Sequence, residues 1–237
     1  GAAVLMDPKP HMNRLEDYVA GFVSRFGKHE GVLAFDIWNE PCNINANTIF
    51  SHAEPPNKME RVAPLLLEAF QWARNTAPQK PLTSGLWIGD WSDESKMNIV
   101  HRIQANQSDF ITFHNYGDAA DLETRIKQLQ RYDRPIVITE CGARPVSAFK
   151  HVLPTAKAHR VGALWWGNVK GRTQCDLSYT SHQTPVIEHR PKHWYHDVFN
   201  EFGRPHIRNE VKLIREMTGA PLSQRGRHFR HSSSLTA

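Results

Sequence analysis

Apolar side chains recur along this chain in two rhythms. Met12, Leu15, Val19, Phe22, Val23 and Phe26 fall at three- and four-residue steps and predict an amphipathic helix that ends near Gly27. Residues 32–38 (VLAFDIW) form instead a short unbroken apolar run, which reads as a buried strand. The alternation then continues. Asn57 is placed to cap a helix running through Leu66 and Phe70 to Thr76, with Pro64 tolerated early or kinking it. PLTSGLW at 81–87 reads as a strand, 95–105 as a helix and DFITFHNY at 109–116 as the next strand. A helix carrying Leu122, Ile126 and Leu129 follows, then strands at 135–140 (PIVITE) and 161–166 (VGALWW) around a helical stretch with Phe149 and Val152. Ile207, Val211, Ile214 and Met217 mark a last helix, which Gly219 should stop.

Five apolar strands separated by helices imply an α/β fold with a parallel sheet covered on both faces. Two architectures compete, a closed (β/α)8 TIM barrel and an open doubly wound sheet. The chain has no GxGxxG and no GxxxxGK[ST], the phosphate-binding turns that open sheets advertise. It also has no GxSxG, which disfavours the nucleophile elbow of an α/β-hydrolase. The barrel is the expected form.

Composition narrows the function classes. At 237 residues and 40% hydrophobic, the chain is neither disordered nor fibrous. No stretch approaches the roughly 18 uninterrupted apolar residues of a membrane span, so no membrane partner is expected. Gly1 to Met6 are apolar, but Asp7 and Pro8 follow at once, which does not suit a signal peptide; the chain reads as an excised piece. The net charge of +5 draws heavily on Arg225, Arg227 and Arg230 near the end. We therefore expect one domain over 1–219 and a basic, disordered tail over 220–237, with no nucleic-acid partner. Cys42, Cys141 and Cys175 form no paired motif for zinc.

The strand ends carry the chemistry. FDIWNEP (35–41) places Asn39 and Glu40 where strand becomes loop, and ITECGA (138–143) places Glu140 at another end. FHNY (113–116) sets His114 and Tyr116 on one face, and ALWW (163–166) ends a strand in two tryptophans. In an α/β barrel these ends converge on the C-terminal rim. A buried carboxylate costs several kcal/mol unless it is paired or used. Two of them beside aromatics and a histidine suit the two-carboxylate chemistry of glycoside hydrolysis.

At these residues the chain resembles the retaining glycoside hydrolases of clan A, closest to the family 5 cellulase/mannanase type. WNEP, HNY two strands later, Glu140 at the next strand end and tryptophan at the last carry the likeness. GALWWGNVKGRTQ (162–174) and the segment 194–219 add to it. The resemblance implies that Glu40 is the acid/base, Glu140 the nucleophile, and that Asn39 binds the sugar 2-hydroxyl. It also implies that Tyr116 orients Glu140, that His114 lines the pocket, and that a strand-end tryptophan floors the sugar. Trp165 is the expected floor, with Trp166 on the other face; Trp87 and Trp91 are either a further platform or ordinary core aromatics. The implied activity is double displacement on a β-linked glucan, mannan or related oligosaccharide, without metal or cofactor. His189, His193 and His196 lack a carboxylate at ligand spacing. Asp36 is expected in a structural ion pair. Counted from WNEP, the chain supplies strands four to eight of the barrel, which makes it incomplete and N-terminally truncated. The alternative is then a partial barrel that only binds carbohydrate. Open strand edges at 32–38 and 161–166 predict a homo-oligomer through the open side. The family resemblance suggests a secreted or periplasmic protein.

Overall fold

A computed structural model of the chain describes residues 1–44, 51–76, 78–179 and 193–220. Seven α-helices are present among them: α1 (Ala2–Met6), α2 (Met12–Phe26), α3 (Lys58–Asn75), α4 (Ile99–Gln107), α5 (Ala119–Leu129), α6 (Phe149–Ala158) and α7 (Arg208–Thr218). Local chemistry fixes some ends. Asn98 and Asp118 accept the backbone N–H of His101 and Asp121 and so cap α4 and α5. Gly219 takes the left-handed conformation that stops α7 (φ 69°). Asn57 precedes α3 but is itself left-handed (φ 52°) and makes no side-chain cap, contrary to the sequence reading. The helix expected at 95–105 begins at Ile99, because Asp93 caps a separate 3-10 turn at Glu94–Lys96.

Five strands lie between the helices: β1 (Phe35–Asp36), β2 (Leu82–Thr83), β3 (Ile111–Asn115), β4 (Ile136–Cys141) and β5 (Gly162–Trp165). All pairings are parallel and follow chain order, β1 with β2 and β3 with β4 and β5. A bridge between Leu86 and Phe113 joins the two groups. β1 and β2 are shorter than the apolar runs at 32–38 and 81–87. At β2 side chains take over the ladder: Leu82 N–H donates to Asp109 Oδ2 (2.7 Å), Thr83 Oγ1 to the Phe110 carbonyl (3.0 Å), and Ser84 N–H to Ser108 Oγ (3.1 Å). The result is an arc of a (β/α) barrel, in which β1 and β5 each have a single neighbour among the described strands.

The core has two parts. Val23, Phe35, Val62, Leu66, Phe70 and Leu82 join α2 and α3 to β1 and β2. Ile111, Phe113, Leu122, Ile126, Ile138 and Val152 join β3 and β4 to α5 and α6. The opposite face of the strands carries polar groups, with Thr83 and Thr112 sharing a hydroxyl bond of 2.7 Å. On β5 this alternation leaves Leu164 and, just beyond, Trp166 open to solvent (57% and 43% exposed).

One guanidinium ties together several parts of the chain following β5. Arg144, 5% exposed, pairs with Glu210 of α7 (2.6 Å) and donates to the carbonyls of Trp194, His196 and Asp197 (3.0, 3.0 and 3.2 Å). No helix of the described residues is long and apolar enough to cross a membrane. The tail from residue 221 onward lies outside the described residues.

Candidate active site

Glu40 follows β1 in a left-handed conformation (φ 44°), an uncommon backbone for a residue with a side chain. Its two oxygens are separately engaged. Oε1 accepts from His114 Nδ1 at 2.5 Å and Oε2 from Asn43 Nδ2 at 2.7 Å. Lys58 in turn donates to the Asn43 carbonyl and secures that turn.

Glu140 reaches the same place through an irregularity in the sheet. β3 and β4 run in register from Ile111 opposite Ile136 to Phe113 opposite Ile138, then shift, so that His114 faces Glu140 instead of Thr139. Glu140 Oε2 accepts the Tyr116 hydroxyl (2.7 Å) and lies 3.6 Å from His114 Nδ1. One oxygen of each glutamate and one nitrogen of His114 all lie within 4.8 Å of one another. That set of donors could also hold a cation, and it is the one such group of three among the described residues. Burial, the neighbouring Tyr179 and Glu140 push the Tyr116 hydroxyl far above its ordinary pKa, so it stays protonated and donates.

The His114 ring is fully buried, and its other nitrogen has no hydrogen-bond partner among the described residues. It faces Gly85 and Asp36. A Cβ built on Gly85 would meet His114 Nε2 at 3.2 Å and Asp36 Oδ2 at 3.4 Å, so glycine keeps that approach open. Asp36 does not form the expected ion pair: no cation lies within salt-bridge distance among the described residues. Surrounding protein raises its carboxyl to about 6, against the pull of His114, although one side of Asp36 is open to water, which limits the effect.

The aromatic residues divide. Trp87 lies 6.2 Å from the His114 ring and 5.7 Å from that of Tyr116, beside a cavity of about 190 Å³ shared with Arg125. Trp91 is a core residue, 1% exposed, packed on His101 and Phe113. Trp165 is not placed as a sugar floor. Its ring stacks on Phe149 at 3.5 Å, its Nε1 donates to the His196 carbonyl (2.8 Å), and Arg144 lies over it at 5.3 Å. Alternation along β5 turns Ala163 and Trp165 toward the helix layer and Leu164 and Trp166 the other way. Asn39 is exposed beside Glu40. Of the histidine trio, His193 stands near the His206 ring, His196 is buried, and His189 lies outside the described residues.

Four residues enter the site without having been singled out in the sequence: Asn43, Tyr179, Tyr195 and, as more than a metal candidate, His196. His196 donates Nδ1–H to the Gly142 carbonyl, and burial holds it neutral by lowering its pKa. Asn43 could have been found from its place three residues after Glu40. Tyr179 lies in a stretch without periodicity and carried no signal, while Tyr195 lies within the segment 194–219 that adds to the resemblance but was not marked there by itself. A roomier cleft of about 410 Å³, lined by Arg134, Pro135 and Val161, opens at the other ends of β4 and β5 and touches none of these groups.

Residues 6–171 match the family described as cellulase (glycosyl hydrolase family 5). No curated protein sequence matches the chain. Its fold is similar to that of the endo-β-1,4-mannanase from Thermotoga petrophila, with a TM-score of 0.57 and 14% identity over 94% of this chain and 54% of that one. The family 5 mannosidase from Rhizomucor miehei gives 0.51 and 17%, covering 92% and 60%. An endo-β-1,4-xylanase of family 10 from Gloeophyllum trabeum gives 0.51 and 14%, covering 85% and 65%. The chain thus spans between 54% and 65% of the length of these neighbours.

Proposed function

The chain belongs to glycosyl hydrolase family 5, and from that membership we propose that it is a retaining β-glycosidase acting on a β-linked glucan, mannan or related oligosaccharide. Glu140 attacks the anomeric carbon while Glu40 gives its proton to the departing glycosidic oxygen. Glu40 then takes a proton from water, the water oxygen bonds to the anomeric carbon, and the Glu140 ester is released. Tyr116 holds Glu140 toward the reacting centre, His114 ties the two carboxylates together, Asn39 bonds the sugar 2-hydroxyl, and Trp87 offers an apolar wall.

One observation carries this reading: the two carboxylates share His114, with an oxygen of each inside the 4.8 Å group. So close an approach of one oxygen pair supports the roughly 5–5.5 Å carboxyl separation of a retaining pair over the roughly 6.5–9.5 Å that an inverting pair needs for its water. The mannanase and mannosidase among the fold neighbours agree with a β-mannan or β-glucan class. A second reading is a barrel that binds carbohydrate without cleaving it. Pairing with a second copy across the open side is the assembly we propose for either.

Turnover of a panel of aryl β-glycosides separates the two. Glu140→Gln should abolish it, and Glu40→Ala should harm substrates with poor leaving groups most, since an activated phenol needs little protonation. Equal, mild losses in both variants would overturn the assignment, and no turnover by the unaltered chain would leave the binding reading.

A further inference from the structure

We infer that Tyr179, from the segment after β5, is the sugar-stacking wall of this site, taking the place that Trp165 does not fill. The inference rests on the carbohydrate reading above. Tyr179 stands nearly perpendicular to Tyr116 at 5.9 Å and to Tyr195 at 5.0 Å, with the His196 ring 5.3 Å away. Tyr116 is the group that holds Glu140, so Tyr179 is one ring removed from the proposed nucleophile. The charges of both Glu40 and Glu140 reach the Tyr179 hydroxyl. Even so, 45% of the residue is exposed. A large aromatic ring held at a carboxylate pair yet left open to solvent presents what the apolar C–H face of a pyranose packs against.

Its support is built in. The stretch before Tyr179 is laced to the stretch after residue 193 by Tyr195 N–H to the Asp176 carbonyl (3.0 Å) and His196 N–H to the Cys175 carbonyl (2.9 Å). The Tyr195 carbonyl accepts the backbone N–H of Arg144 (2.9 Å). Tyr179 thus rests on two rings whose backbone is fixed, and little order remains to be imposed when a sugar arrives. Trp166, the other exposed aromatic at this end of β5, makes no ring contact with His114, Tyr116 or His196. The ligand class is the glycosyl residue of a β-linked oligosaccharide, bound through its apolar face.

Steady-state kinetics on β-1,4-linked gluco- and manno-oligosaccharides test this with two variants. Tyr179→Leu keeps apolar volume over Tyr195 and His196 but has no flat ring, and it should raise KM about tenfold with kcat within about twofold. Tyr179→Phe keeps the ring but gives up the hydroxyl beside Tyr116, and its rise in KM should be clearly smaller than that of Tyr179→Leu. Unchanged KM in Tyr179→Leu, or an equal loss in Tyr179→Phe, would overturn the wall. If the unaltered chain turns over none of these substrates, hydrolysis fails by itself, and calorimetric titration with the same oligosaccharides decides the wall. Binding that Tyr179→Leu weakens about tenfold and Tyr179→Phe clearly less supports it. Binding indifferent to Tyr179→Leu, or none by the unaltered chain, overturns it.

Discussion

Tyr116 donates its hydroxyl to Glu140 Oε2 across 2.7 Å. A hydrogen bond to a charged group is worth about 1.5–3 kcal/mol, and here it also fixes which way the carboxylate points. Tyr116→Phe removes the bond with little change in volume. On the retaining reading, kcat should fall about 10- to 100-fold, with a smaller effect on KM, in stopped or continuous assays on aryl β-glycosides. A variant with unchanged kcat would show that Glu140 is oriented by other contacts.

Arg144 bears on stability. It is buried, and its partner Glu210 is nearly so, with side-chain exposures of 3% and 13%. Arg144→Met leaves the Glu210 carboxylate and the Trp194 and Asp197 carbonyls without their donor, while the His196 carbonyl keeps Trp165 Nε1. Removing one partner of a buried pair costs about 3–5 kcal/mol, and urea unfolding should show a loss of that order. Arg144→Met with Glu210→Met should recover part of it, because the stranded charge is gone.

Asp36 predicts a pH dependence. Its carboxyl rises from 3.8 to about 6 on folding, so between those values the folded chain binds the proton more tightly than the unfolded one. Its contribution to stability is therefore greatest below that window and declines as pH rises through it. Asp36→Asn lacks the decline. With water screening the open side, the variant should gain about 1 kcal/mol on wild type between pH 4 and pH 7, or about 2–4 °C in Tm. Parallel melting curves at the two pH values would rule this out.

Pairing of two copies through the open side predicts a particle of twice 27.1 kDa by light scattering at micromolar concentration. The exposed Leu164 and Trp166 at β5, which has a single neighbour among the described strands, motivate it. A clean 27.1 kDa species would exclude it.

What the sequence disclosed, and what it did not, follows from the range over which each interaction acts. The five-strand order and the convergence of Glu40, His114, Tyr116 and Glu140 were readable, because apolar periodicity and strand-end position are local properties. Alternation on β5 separated Trp165 from Trp166 but could not say which face the helices would cover, and the stack on Phe149 settled that. The shift between Phe113 and His114 that brings Glu140 round has no signature of its own. Nor could short β1 and β2 be foreseen, since Asp109 and Ser108, more than 20 residues away, take the place of ladder partners. Tyr179 and Arg144 lie in irregular stretches, and Arg144 meets Glu210 across 66 positions of chain.

Arg144 also links two parts of the site. Both glutamates, His114 and Tyr116 sit on the strands or in the turns just after them, whereas Tyr195 and His196 are brought in by a later segment that Arg144 anchors together with the Gly142 carbonyl and Trp165. Catalytic carboxylates and aromatic enclosure are therefore separable. A chain that lost α7, or had it pried from Arg144, would keep its acid pair and strip one brace from the guanidinium behind Tyr195 and His196, while the Gly142 and Trp165 bonds to His196 stay in place. Substrate capture would then weaken before chemistry did, which gives the last helix a remote hand in affinity.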